Sequence, residues 1–143
     1  MSNYMRFIVT DGELRLEEIA QALKALDGDY DLRLHGDQRH HSGDLYHGDR
    51  LGGEIEVNRP GDDLFEDEIG ELMALLEDVD DEARDGVMAT LQSATGMVAF
   101  RVLEQDGRSL DLLWQWLHEH REGLLQADGE GYYDRDGLVL TLE

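Results

Sequence analysis

The residue pattern predicts an α+β fold, a mostly antiparallel sheet with about four helices packed on one face. Three observations predict it. Apolar residues are 41% of the chain and recur with both strand and helix periods. Asp-Gly and Gly-rich turns separate the short apolar runs at hairpin spacing. No strand–helix–strand crossover repeats regularly enough for a parallel doubly wound sheet. The 143 residues match one domain, spanning 1–143, without repeat, linker or low-complexity segment.

Met5 to Thr10 is apolar and β-branched and reads as a buried strand. Asp11-Gly12 turns into a helix carrying Leu16, Ile19, Ala20, Leu23 and Leu26 at helical spacing, closed by Asp27-Gly28. Tyr30 to His35 alternates, with Tyr30, Leu32 and Leu34 on one face and Asp31, Arg33 and His35 on the other. Asp44 to His47 and Glu54 to Asn58 flank the glycine-rich stretch 48–53, a hairpin with Ile55 and Val57 inward. Pro60-Gly61 breaks the pattern. Asp63 with Glu66 resembles a capping box for a helix whose stripe is Phe65, Ile69, Leu72, Met73, Leu76 and Val79. A second helix runs from about Glu82 to Ala94. Met97 to Leu103 is a strand, and Ser109 starts a helix to about His120. Leu124 to Leu142 reads as a final antiparallel pair turning at Asp136-Gly137. The order is β-α-β-β-β-α-α-β-α-β-β.

The charge limits function. The chain has 34 acidic and 12 basic side chains, a net charge of −22. Such a charge repels nucleic-acid phosphates and anionic lipid, so neither is an expected partner. Eleven of the 12 bases are Arg, and the acid excess suits a salt-rich bacterial cytoplasm, where screening relieves self-repulsion. There is no cysteine, which excludes disulfides, thiolate metal sites and cysteine nucleophiles. The first residues lack a basic region followed by an apolar run, so no signal peptide is expected. A cytoplasmic location is the expectation that fits these features. The acids are concentrated, however. Residues 61–90 hold 12 acids and one base, half of the net charge in 30 positions. Salt adaptation predicts a more even coat.

Four constellations could carry function. The stretch 35–47 places His35, Asp37, His40, His41 and His47 close in sequence, and imidazole with carboxylate suits Zn²⁺, Fe²⁺ or Ni²⁺. Its spacing matches no helical ligand pair. The stretch 126–137 offers Gln126, Asp128, Glu130 and Tyr132 as a small-ligand patch. It fails the calcium-loop pattern, because Tyr133 falls where glycine is required. The helix around Trp114 and Trp116 has an apolar arc of about 200°, wide enough to present Trp116 to a partner or to a second copy. The acidic segment offers Asp67, Glu71, Glu77, Asp78, Asp81 and Glu82 on the outer face of a helix with an intact apolar stripe. No phosphate-binding loop, nucleophile elbow or His-Glu-x-x-His motif occurs. The residues therefore predict a non-enzymatic module without a cofactor that binds a basic protein partner, as nuclease inhibitors and antitoxins do by charge. A homodimer and a metal protein built on His35–His47 are the alternatives.

Overall fold

A computed structural model describes residues 4–35, 42–103 and 111–141. Asp37, His40, His41 and Ser109 lie outside the described residues. Eight strands and four helices follow in the order β1 (Tyr4–Val9), α1 (Leu16–Leu26), β2 (Tyr30–Leu34), β3 (Ser42–His47), β4 (Arg50–Asn58), α2 (Asp63–Leu76), α3 (Arg84–Gln92), β5 (Gly96–Val102), α4 (Asp111–His120), β6 (Gly123–Ala127), β7 (Gly131–Asp134) and β8 (Gly137–Thr141). The expected α+β order is found. The C-terminal stretch runs as three strands, because Gly129, with φ of +78°, turns the chain where one continuous arm was expected. The glycine-rich turn is also shorter. Gly48-Asp49 makes the turn, and Gly52 and Gly53 belong to β4.

All eight strands form one sheet, ordered β2-β3-β4-β5-β1-β6-β7-β8, and every neighbouring pair is antiparallel. β1 sits inside the sheet and is apolar on both sides: Phe7, Ile8 and Val9 are each fully buried. A strand of that kind needs cover on both faces, so the expectation of helices on one face is corrected. α1 and α4 cover the first face, where Ile19, Leu23, Leu113 and Leu117 pack on Phe7, Val9, Val57 and Phe100. α2 and α3 cover the second, where Ile69, Leu72, Leu76 and Leu91 pack on Ile8, Met97, Tyr132 and Leu140. Among the described residues, cover of the second face is confined to the β5-to-β8 part of the sheet. Over β2, β3 and β4 the same face carries Asp31, Arg33, Asp44, Glu54 and Glu56 by alternation.

The expected capping box at Asp63 does not form. Asp62 is the N-cap of α2 and makes no side-chain bond to the helix. Its carboxylate instead accepts from the Arg59 backbone N–H at 3.1 Å, while Glu66 accepts from the Gly61 N–H at 3.3 Å. Both acids hold the incoming turn, and both still favour the positive end of the helix. Among the described residues no helix is long and apolar enough to cross a membrane.

Candidate functional site

The acidic segment forms the outer surface of the α2–α3 layer. Phe65, Ile69, Leu72 and Leu76 are buried along the inner stripe of α2. Asp67, Glu71, Glu77, Asp78, Asp81 and Glu82 are all exposed. Two leucines join them. Leu64 is 45% exposed and Leu75 66% exposed. They are separated by three helical turns, so they lie within about 20° of each other around the axis and roughly 16 Å apart along it. Glu71 falls between them, and Asp67 lies alongside. The outside of α2 is thus a ridge with an apolar contact near each end and carboxylates between. Sequence reasoning missed Leu64 and Leu75. The available signal was two leucines standing off an otherwise complete apolar stripe.

The cations nearby are already engaged. Arg84, the only base between residues 61 and 90, donates to the carbonyls of Glu77 and Val79, both at 3.2 Å, and lies 3.6 Å from Asp85. Asp81 accepts from the Ala83 N–H at 2.8 Å, which fixes the α2–α3 connection. Arg6 reaches α2 but takes Glu68, at 2.9 Å. Asp67, Glu71, Glu77, Asp78 and Glu82 form no ion pair among the described residues. Glu77 and Asp78 also stand at the negative end of α2, whose last turn has no basic residue. Carboxylates there oppose the helix dipole, an effect offset in part by the Arg84 guanidinium on the Glu77 and Val79 carbonyls.

The other predicted patches fare differently. Gln126 and Asp128 do come together, but around Arg6 instead of a ligand. The Arg6 guanidinium donates to Gln126 Oε1 and Asp128 Oδ1, both at 2.8 Å, and Gln126 donates to Asp128 at 2.9 Å. Tyr132 is buried beside them, and its hydroxyl has no hydrogen-bond partner among the described residues. Burial pushes that phenol up to about 12. Glu130 is elsewhere, accepting from the Tyr133 hydroxyl at 2.8 Å, a bond that raises the Tyr133 pKa. The four residues do not make one ligand face.

Of the His35–His47 grouping, only His35 and His47 are among the described residues. His35 and His47 sit at opposite ends of the β2–β3 pair and on opposite faces. His35 Nδ1 lies 2.8 Å from Ser42 Oγ, and its Nε2 lies 3.2 Å from Asp44. His47 packs edge-on against Tyr30 on the α1 side and bonds Asp27 at 3.0 Å. That bond holds the Asp27 carboxyl below its ordinary value. Asp27, Asp29 and His47 bring three potential metal-ligand atoms within 4.8 Å of one another. Asp27 and Asp29 come from the α1–β2 turn, so the sequence neighbourhood of His47 did not show them.

Trp116 is half-buried at the flank of α4. It packs against the first core and stacks on His120 with ring centroids 5.0 Å apart. α4 lies on the opposite face of the sheet from α2, so Trp116 cannot share a docking surface with the acidic ridge. The wide apolar arc of α4 is used by Leu113, Trp114 and Leu117 against the sheet and α1.

The chain matches no protein-family profile, no curated protein and no solved structure.

Proposed function

We propose that this protein is a non-enzymatic interaction module that docks a basic protein partner along the outer surface of α2. One observation carries the reading: exposed Leu64 and Leu75 bracket Glu71 and Asp67 on one helix face, and among the described residues no cation pairs with those carboxylates. Apolar anchors exclude water from a contact, and the carboxylates set its register and sign. The fitting partner is a helix or hairpin with Lys or Arg set between apolar residues. The net charge of −22 speeds the encounter with such a surface. The mode resembles that of acidic antitoxins and inhibitors in charge alone. A cytoplasmic setting suits a chain without cysteine.

The experiment is capture from native cytosol at physiological salt, with wild type compared against Glu71→Lys/Glu77→Lys and against Leu75→Ser. A specific basic partner is retained by wild type and lost from both variants. Retention by both variants contradicts the proposal. Loss from the charge variant alone shows charge attraction without a docking site, which also contradicts it.

A further inference from the structure

We infer that β2 is a self-complementary sheet edge and that its occupant is β2 of a second copy of this chain. β2 ends the sheet, and among the described residues β3 is its only strand partner. His35 N–H bonds the Ser42 carbonyl at 2.9 Å, and Gly48 N–H bonds the Asp29 carbonyl at 2.8 Å. Residues 29 and 35 therefore point their backbone groups at β3, and by alternation so do Asp31 and Arg33. Leu32 and Leu34 point theirs outward, where none of the described residues meets them. An edge of that kind is a template for another strand.

Side-chain chemistry selects both the occupant and the register. Place a two-fold axis through Leu32, perpendicular to the sheet. Leu32 then opposes the partner's Leu32, and their outward amides and carbonyls exchange bonds. Asp31 opposes the partner's Arg33, and Arg33 opposes the partner's Asp31. Tyr30 and Leu34 oppose each other in the same way, on the α1 side. A shift of two residues in one direction sets Asp31 against Asp31. A shift of two in the other sets Arg33 against Arg33. Like charges directly opposed are unfavourable, so of these three registers the one centred on Leu32 alone is free of such a clash. A shift of one residue fails because it turns the apolar set to the wrong face.

Geometry within one chain is prepared for this pairing. Arg33 already bonds Asp31 at 3.0 Å and lies 4.0 Å over the Tyr46 ring, yet its side chain remains 59% exposed. Pairing turns each Asp31–Arg33 couple into a four-charge ring of alternating sign. On the α1 side an open groove of about 580 Å³ runs beside the edge, lined by Ala20, Gln21, Lys24, Ala25, Tyr30 and Leu32. The partner's Leu32 and Leu34 enter along that groove. The small Ala20 and Ala25 allow the two α1 helices to approach. The acidic ridge on α2 lies on the other face and stays open, so the dimer and the partner-docking reading stand or fall separately.

The experiment is sedimentation velocity on the full chain, from micromolar to sub-millimolar, in enough salt to screen the net charge. Wild type sediments as a concentration-dependent dimer. Arg33→Asp, and separately Asp31→Arg, puts four like charges at the axis and weakens the dimer by more than about tenfold. The combined Asp31→Arg/Arg33→Asp swap restores it. Circular dichroism confirms that each variant is folded, and either single variant serves if the other is not. A monomeric wild type over the whole range overturns the inference. So does a dimer indifferent to the single changes, or a folded double swap that stays monomeric.

Discussion

Arg6 is the residue on which the α2 layer is hung. It leaves the interior strand β1 toward the second face and gathers Glu68 from α2 with Gln126 from β6 and Asp128 from the turn that follows it. Its side chain is 11% exposed, and Glu68 and Asp128 are 25% and 30% exposed. Arg6→Met leaves two partly buried carboxylates without their cation. Urea unfolding should show a loss of about 2–3 kcal/mol, below the range for a fully buried pair because water reaches both acids. Glu71→Gln on the outer ridge should change stability by no more than about 0.5 kcal/mol. His118 gives a second prediction. Its ring lies edge-on to Phe7 at 5.0 Å, and burial lowers its pKa below 6.5, with Asp134 opposing in part. The unfolded chain then takes up the proton first. Stability therefore falls as pH drops through about 6.5 and levels off below the folded-state pKa. His118→Gln should flatten that part of the urea-midpoint profile. None of this was legible in the sequence. Arg6 and its acceptors are 62, 120 and 122 residues apart, and a lone Arg in an apolar strand does not name its partners.

Periodicity carries most of the information at the scale of elements. The strand of Tyr30 to Leu34 and the stripe of α2 stand where alternation and helical spacing put them, and the hairpin expected to turn at Asp136-Gly137 turns one residue earlier, at Arg135-Asp136, with Gly137 opening β8 opposite Asp134. Boundaries that depend on glycine geometry were harder to read. Gly52-Gly53 looks like turn sequence, but Gly53 is a strand residue over which the Phe100 ring closes. A Cβ there would collide with the Phe100 ring and the Arg101 carbonyl. Gly53→Ala should cost about 2 kcal/mol or more by overpacking, read as a drop in thermal midpoint. Gly70→Ala is the control, because open space surrounds that position and alanine favours the helix. The division of helices between two faces was also hidden. A run such as Arg6-Phe7-Ile8-Val9 shows burial on both sides, but it does not say which later helix covers which side.

The whole molecule is a sheet with unequal faces. One face is sealed by α1 and α4; on the other, the described residues form a core near β1 and β5 to β8. The local excess of acid falls on the outside of that second layer, away from Trp116. The concentration of charge was legible from counting, as was the exposed side of α2. What the count could not give was the alignment of Leu64 and Leu75 with the carboxylates, which turns a solvated face into a surface with anchors. The central claim is that this alignment docks a basic partner. Its most direct test is the partner retained from cytosol at physiological salt by wild type, Glu71→Lys/Glu77→Lys and Leu75→Ser. One basic protein should be held by wild type and lost from both variants. Retention of that protein by the charge-reversed α2 would contradict the claim.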